Sequence, residues 1–382
     1  MPADEVQCWL NSSKPARVAG LLLWPHPHPL VKGMPMSIQR GQAEAFFLVD
    51  DTGQCWICKK FLAGRCPDAA YLTAVTGLLP RHEGFRAGTA RRLLTTGDLD
   101  RRPGKYSDCK LAAWLEGTLL MPRIEGVDWS SLADEIREGH VQLTPEHRLG
   151  LCRHVAELVQ LLEQAQCSHR DISCGNAFID LGTGAVYFID FDSLYHPNLS
   201  IPAVTTCGTA GYTAPWSWRN GNLDALTTWV PRADRFAMAI LCAEFLLVEP
   251  GTVLTGEGGA FSQDELRVGQ GPGLKAAVEQ LKRTFPGAAS LLIATIQAGR
   301  FDDCPSPADW LRFTDATGFH QPPQLQELDG FTTTDFEKAL TRRRPPAILW
   351  PPPKLSDLPL PSPLARRPQP FIVTLPPNPW TP

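Results

Sequence analysis

The first hydrophobic pattern along the chain predicts a small antiparallel sheet. Phe46-Phe47-Leu48-Val49 and Trp56-Ile57-Cys58 are short runs of β-prone residues, and the stretch from Asp50 to Gly53 between them suits a hairpin loop. The apolar run from Val18 to Trp24 could add a strand. Gly117 to Pro122 has the pattern of a buried strand that ends at a proline.

Helical periodicity dominates the second half of the chain. Thr144-Pro145 supplies an N-cap and a proline at the first helical position, and leucines and a valine follow at helical spacing. From Asp234 to Glu249 the residues are apolar almost all round, which predicts a helix buried at the centre of a helical lobe. An earlier helix is predicted from Pro67-Asp68 to Leu79. Weaker helices are predicted at about residues 273–284, 288–297 and 305–313.

These patterns divide the chain into four parts. Residues 1–35 form a proline-punctuated lead-in, residues 36–125 a small sheet lobe, residues 126–318 a mainly helical lobe and residues 319–382 a tail. Fourteen of the last 38 residues are prolines, which favours extended polyproline II segments over a packed domain. We expect a solvated tail or one lying along the lobes. The alternative is a segment that docks into an aromatic-lined groove of a partner protein.

Composition and charge exclude several classes of protein. The 382 residues carry a formal net charge of −4, with a pI near 6.2, so nothing in the balance favours nucleic acid or an anionic membrane as a partner. The sequence has no apolar segment approaching the ~18 residues that span a bilayer. We expect a cytoplasmic protein.

The eleven cysteines are scattered through apolar segments, a distribution that suits free thiols in a reducing compartment. Cys55-Trp56-Ile57-Cys58 has the spacing of a redox dithiol. It lies in a run with strand-like alternation rather than at the start of a helix, so we expect both cysteines to serve packing.

Candidate chemistry follows the helix that begins at Pro145. In His169-Arg170-Asp171 the aspartate is followed five residues later by Asn176, and the run from Val186 to Ile189 leads into Asp190. Two oxygen donors for a hard cation and one further carboxylate near the acceptor are the minimum needed to position a transferring phosphoryl group. This spacing favours phosphoryl transfer from a metal-nucleotide.

Together with Gly208 to Pro215 and Asp234, these motifs occur in the order of the protein kinase superfamily, which the chain resembles over about residues 38–313. The resemblance implies an α+β, bilobal fold, with a small antiparallel sheet in the N-lobe and a mainly helical C-lobe. It also implies a Mg-ATP-dependent serine/threonine protein kinase that transfers the γ-phosphate to a protein hydroxyl. The degenerate glycine loop and proline-rich end are similar to those of bacterial eukaryotic-like kinases.

The resemblance assigns roles in the C-lobe. Asp171 would accept or orient the proton of the acceptor hydroxyl, and Asn176 and Asp190 would bind Mg. Thr209 would touch the catalytic loop, as in enzymes directed to serine and threonine. Arg170 would order the segment before Ala214 once that segment carries phosphate. The predicted sites of autophosphorylation are Ser200, Thr205 and Thr206.

In the N-lobe, the resemblance assigns the lysine that binds the ATP phosphates to Lys59, with Lys60 as the alternative if the strand is shifted by one residue. Gly41 is the single glycine matching the loop that covers the phosphates. Met121 would lie at the back of an adenine pocket, and the backbone from Pro122 to Ile124, which includes Arg123, would hydrogen-bond the base.

Three departures from the family pattern leave alternatives open. The helix after Pro67 has no obvious glutamate to pair with the lysine, and Ser173 replaces the lysine that neutralises charge on the transferring phosphate. Asp192 replaces a glycine, and its carboxylate could sit near the metals. The alternatives to an active protein kinase are a nucleotide-binding pseudokinase that acts as a scaffold and a small-molecule phosphotransferase.

The expected partners follow from these assignments. They are ATP and a protein substrate, with no nucleic acid and no membrane. A partner protein docking the proline-rich tail is a further expectation. For the bacterial kinases that the chain resembles, such a partner could be a PP2C-type phosphatase or a von Willebrand-type domain protein.

Overall fold

A computed structural model describes residues 9, 15–26, 37–40, 42–99, 114–203, 205, 208–219, 222–253, 256 and 259–317. This part of the chain has a mixed α+β fold. The predictions for Gly41, for Thr206, for the tail at 319–382 and for most of the lead-in fall outside these residues. Within the described ranges, no helix is both long and apolar enough to cross a membrane.

Seven strands build one antiparallel sheet in the order β1-β2-β4-β5-β7-β6, with β3 beside β4. In chain order they are β1 (Ala16–Val18), β2 (Leu21–Pro25), β3 (Ser37–Arg40), β4 (Ala43–Asp50), β5 (Cys55–Phe61), β6 (Arg92–Leu93) and β7 (Leu119–Pro122). The predicted hairpin is therefore confirmed as β4–β5, paired with Phe46 opposite Cys58. β5 lies inside the sheet, between β4 and β7.

The apolar run from Val18 to Trp24 contributes to two strands rather than one. Ala19 and Gly20 adopt φ values of 50° and 87°, which turn the chain between β1 and β2. The pattern of apolar residues continues through this turn, so hydrophobicity alone did not separate the two strands.

Helix α1 (Ala69–Leu78) and the short α2 (Arg86–Thr89) lie in the same part of the chain as the sheet. Asp68 caps α1 by accepting a hydrogen bond from the backbone N–H of Ala70 at 2.7 Å. The Tyr71 hydroxyl of α1 donates to the backbone carbonyl of Leu194 at 2.8 Å. This bond attaches α1 to the segment that carries Asp190 and Asp192.

The second half is mainly helical, as predicted. Its helices are α3 (Trp129–Arg137), α4 (Pro145–Gln164), α5 (Asp234–Leu247), α6 (Gln263–Val268), α7 (Pro272–Thr284), α8 (Pro286–Gln297) and α9 (Pro307–Ala316). All of α5 is buried, and it packs against α4 and α8. Two small sheets join β8 (Val127–Asp128), β9 (Ala177–Ile179) and β10 (Val186–Phe188), and β11 (Trp218–Arg219) with β12 (Asn222–Leu223).

The two faces of the large sheet pack against different groups of apolar residues. Phe46 and Cys58 join a cluster formed with β1, β2 and Trp114, whereas Phe61 and Leu119 belong to the core shared with the helices. Because side chains alternate along a strand, Lys59 lies on the same side as Phe61. The sheet therefore presents Lys59 towards the helical part of the chain.

Candidate active site

The loop from His169 to Asn176 is held in place through its backbone. Asp234, at the start of buried helix α5, accepts hydrogen bonds from the N–H groups of His169 at 2.6 Å and Arg170 at 2.7 Å. Arg170 has φ 68°, a left-handed conformation that side chains disfavour. Burial raises the pKa of Asp234 to about 7, against the opposing effect of the two backbone bonds. This carboxyl fixes the loop in a conformation that it would not favour alone.

His169 connects the loop to the end of β10. Its Nε2 donates to the carbonyl of Ile189 at 2.8 Å, so Nδ1 accepts from the backbone N–H of Asp171 at 3.3 Å. The ring packs against Phe188 and Phe191. Burial lowers the pKa of His169 to about 4, so the ring is neutral and its role is structural.

Asp171 and Thr209 lie together, as the sequence predicts. The Thr209 hydroxyl donates to Oδ1 of Asp171 at 2.8 Å. Burial raises the pKa of Asp171 to about 7; the bond from Thr209 opposes this, and the nearby charge of Asp190 adds to it. The arrangement gives a carboxyl that can take up or release a proton near neutral pH.

Asn176 is oriented by a bond to the same loop. Its Nδ2 donates to the backbone carbonyl of Asp171 at 2.8 Å, and this bond fixes the orientation of the side-chain amide. The backbone carbonyl of Asn176 accepts from the N–H of Ile189 at 3.0 Å and so places Asn176 beside the residue that precedes Asp190. An amide oxygen and a carboxylate are oxygen donors of the kind that Mg prefers, so these residues fit the predicted ion.

Asp190 follows β10 with φ 66°, a second left-handed conformation at a residue with a side chain. Its Oδ1 lies 2.7 Å from Nζ of Lys59 on β5. Burial raises the pKa of Asp190, and the positive charge of Lys59 opposes that rise. The ion pair joins the large sheet to the end of β10.

The two adjacent lysines have different surroundings. Lys59 contacts Asp190, whereas Nζ of Lys60 donates to the backbone carbonyls of Trp114 at 2.6 Å and Glu116 at 3.1 Å on the other side of the sheet. The preferred assignment of Lys59 is the one that brings a lysine to the acidic site.

Asp192 and Arg91 complete the charged cluster. Oδ2 of Asp192 lies 2.5 Å from Nζ of Lys59, and its Oδ1 lies 2.7 Å from Nη1 of Arg91. Burial alone would raise the pKa of Asp192, but Lys59 and Arg91 hold it well below its usual range. Sequence analysis identified Asp192 as unusual but missed Arg91, whose partner lies 101 residues further along the chain.

Arg170 is buried and already occupied by hydrogen bonds. It donates to the backbone carbonyls of Ser193 at 2.9 Å and Thr228 at 3.0 Å, and its guanidinium lies over the Trp229 ring. Nη1 also donates to the hydroxyl of Thr205 at 3.1 Å. A phosphate on Thr205 would therefore arrive next to Arg170, but it would have to compete with carbonyl acceptors already in place.

Part of the backbone predicted to bind adenine is already hydrogen-bonded within the protein. The backbone N–H of Arg123 donates to the carbonyl of Cys55 at 3.0 Å, and its guanidinium lies 5.8 Å from the centre of the Phe47 ring. The N–H of Arg123 is therefore already engaged by β5, whereas its carbonyl stays within the stretch predicted to hydrogen-bond adenine. Pro122 has no N–H, which leaves that of Ile124 as the donor from this stretch. Met121 is half-buried in β7, opposite Ile57.

The dithiol spacing of Cys55 and Cys58 is structural, as predicted. Both cysteines belong to β5; Cys58 is fully buried and contacts the hydroxyl of Thr118 at 3.2 Å. Burial raises the pKa of the Cys58 thiol to about 11, which disfavours the reactive thiolate. The cysteines in the described ranges are free thiols.

No family model matches the chain, and no curated protein matches it.

Proposed function

We propose that the protein is a Mg-ATP-dependent serine/threonine protein kinase. The observation that carries the proposal is the joint placement of three groups. Asp171 is bonded to Thr209, and Asp190 is paired with Lys59 from the sheet. Asn176, on the same loop as Asp171, contacts the backbone of Asp171 and of Ile189, the residue before Asp190. Phosphoryl transfer depends mainly on positioning and charge stabilisation, and these groups supply both.

Each residue has a distinct task in this proposal. Asp171 takes the proton of the acceptor hydroxyl, and the bond to Thr209 fixes the direction of its carboxylate. Lys59 binds the phosphates of ATP. Asn176 and Asp190 would hold Mg, which when bound would neutralise charge on the phosphates. Oδ1 of Asp190 contacts Lys59, so the ion would share this carboxylate with the lysine.

The architecture supports a kinase-like bilobal arrangement. An antiparallel sheet precedes a mainly helical part, and the pair of Lys59 and Asp190 joins them at the site. Buried α5 supplies Asp234, which fixes the loop that carries Asp171. The tail partner, including a PP2C-type phosphatase or a von Willebrand-type domain protein, and the cytoplasmic location remain predictions from the sequence.

One observation favours the pseudokinase as a second candidate. Asp190 and Asp192 both contact Lys59. The positive charge proposed to bind phosphate is therefore already paired with two carboxylates. If Asp190 does not release Lys59, the protein could bind a nucleotide without transferring phosphate. A small-molecule phosphotransferase is less well supported, because Thr209 beside Asp171 is the feature expected of serine/threonine protein kinases.

The test is transfer of radiolabelled γ-phosphate from Mg-ATP to the chain itself and to a generic acceptor protein. We expect transfer by the parent protein and a loss of at least about a hundredfold in Asp171→Asn and Asp190→Asn. Asp264→Asn is the matched control, because Asp264 is an exposed aspartate paired with Arg267 on α6. Equal turnover in all four proteins rules out the proposal, and nucleotide binding without turnover favours the pseudokinase.

A further inference from the structure

The acidic partners of Lys59 do not lie on helix α1, where the kinase resemblance would place them. Helix α1 contains no acidic residue, so it cannot supply a carboxylate to Lys59. Asp190 and Asp192, which do contact Lys59, both belong to the segment that follows β10. The same segment therefore carries the proposed metal ligand and a second carboxylate for the lysine.

Asp192 is bound by a different cation at each oxygen. Lys59 lies at Oδ2 and Arg91 at Oδ1, with distances of 2.5 Å and 2.7 Å. Arg91 is 5% exposed, and its Nη2 donates to the backbone carbonyl of Leu72 on α1 at 3.3 Å. A buried carboxylate with both oxygens engaged has little freedom to move, and charge-assisted hydrogen bonds are the stronger kind.

We propose that Asp192 is the positioning residue for Lys59 and that Arg91 holds Asp192 in place. This inference rests on the proposed function, in which Lys59 binds the phosphates of ATP. Asp192 would then do for Lys59 what a glutamate on α1 would otherwise do.

The two carboxylates that contact Lys59 would respond differently to the binding of Mg-ATP. Asp190 is the proposed metal ligand, so an ion would compete with Lys59 for its carboxylate. Asp192 is fixed by Arg91 and can keep its contact with Lys59 throughout. Lys59 would thus remain directed at the phosphates after Asp190 has turned to the ion.

Helix α1 supports this arrangement through two of its uncharged groups, a hydroxyl and a backbone carbonyl. Tyr71 donates to the carbonyl of Leu194, two residues after Asp192, and the carbonyl of Leu72 accepts from Arg91. The orientation of Lys59 is therefore set by the segment after Asp190, with α1 as a support behind it.

The test compares the affinities for Mg-ATP and adenosine, because their ratio isolates the contribution of the phosphates. We expect the ratio to fall about 10- to 100-fold in Asp192→Asn and Arg91→Met, while the affinity for adenosine is unchanged. Arg91→Lys, which keeps a cation, should restore most of the ratio. Asp264→Asn and Arg267→Met, from the exposed pair on α6, are the matched controls. Thermal melting of every variant checks that it is folded.

The outcomes separate this inference from the proposed function. A parent protein that prefers Mg-ATP and an Asp192→Asn variant with the same preference overturn the role of Asp192 and leave the function standing. An unchanged ratio in Arg91→Met, or a ratio in Arg91→Lys that is as low as in Arg91→Met, overturns the role of Arg91. A parent protein that shows no preference for phosphates overturns the function itself.

A double-mutant cycle tests the contact independently of nucleotide. It compares Lys59→Met, Asp192→Asn and their combination by chemical denaturation. We expect the two effects on the unfolding equilibrium to be coupled by about tenfold. Additive effects would show that Asp192 does not hold Lys59, and the inference would be wrong whatever the protein binds.

Discussion

Burial sets the protonation of Asp171, the residue on which the proposed chemistry depends. A carboxyl in water ionises well below neutral pH, but burial raises the pKa of Asp171 to about 7. The bond from Thr209 favours the ionised form without restoring the usual value. Ionisation of Asp171 therefore falls within the range in which an enzyme of this kind would work.

The activity should consequently depend on pH. Only ionised Asp171 can accept a proton, so transfer should rise with pH through about 7 and level off at about pH 8. At pH 6 we expect kcat/KM to be about tenfold lower than at pH 8. In Asp171→Asn the residual activity should lose this dependence. A parent protein with a flat profile over this range would contradict the assignment of Asp171 as the base.

Lys59 and Lys60 provide an internal comparison, because adjacent lysines lie on opposite faces of one strand. We predict that Lys59→Met lowers kcat/KM for ATP by about 100- to 1,000-fold, since it removes the cation that faces Asp190. Lys60→Met removes contacts to the carbonyls of Trp114 and Glu116 and should change kcat/KM less than about threefold. Steady-state kinetics gives kcat/KM for ATP in both variants. A larger loss in Lys60→Met than in Lys59→Met would assign phosphate binding to Lys60.

At the scale of elements, the sequence predicted those whose ends carry local signals. The Asp68 cap of α1 and the Thr144-Pro145 start of α4 use capping chemistry that involves only neighbouring residues. The run from Val186 to Ile189 was expected and forms β10, but the short strands β8, β9, β11 and β12 were missed, because two or three residues are too few to show an alternating pattern. Arg91 was missed because its contact with Asp192 joins residues far apart in the sequence and exists only in the folded chain.

The attachment of the catalytic loop to α5 gives a prediction at this scale. In Asp234→Asn an amide NH2 would face a backbone N–H where a carboxylate oxygen now accepts, and the mismatch is buried. We expect a loss of about 1–3 kcal/mol in the free energy of unfolding. The matched control, Asp302→Asn, loses an exposed ion pair with Arg232 and should lose less than about 1 kcal/mol. Urea denaturation measures both, and equal losses would contradict the anchoring role.

The segment after Asp190 is expected to carry phosphate if the enzyme modifies itself. Thr205, whose hydroxyl accepts from Arg170, and the exposed Ser200 are the candidates within the described residues, and Thr206 is a candidate from the sequence. We predict phosphate at one or more of these positions after incubation with Mg-ATP and none in Asp171→Asn. Peptide mass spectrometry locates the modification. An unmodified segment between residues 193 and 213 in the active parent protein would contradict the prediction.

At the scale of the whole described molecule, packing places chemistry where sheet and helices meet. One face of the sheet shares a core with the helices, and Lys59 emerges on that face. The alternation of side chains along β5 predicted that one of the two adjacent lysines faces the helices, and Lys59 was the preferred one. The partners of Lys59 could not be predicted, because they depend on how the segment after β10 turns back to the sheet.

Binding of Mg-ATP should therefore stabilise the whole fold. A ligand that binds the native state alone at a hundred times its Kd adds about 2.7 kcal/mol to the free energy of unfolding. We predict a rise in Tm for the parent protein with Mg-ATP and a much smaller rise for Asp190→Asn. Asp264→Asn should match the parent protein. Identical shifts in all three would show that ATP binds without the proposed metal ligand.

The most direct test of the central claim is a crystal structure with Mg and a non-hydrolysable ATP analogue. The account predicts Mg ligated by Asn176 and Asp190, with Nζ of Lys59 in hydrogen-bond reach of a phosphate and still paired with Asp192. A nucleotide bound elsewhere, or one bound while Asp190 keeps its full contact with Lys59 and leaves the metal unligated, would contradict it.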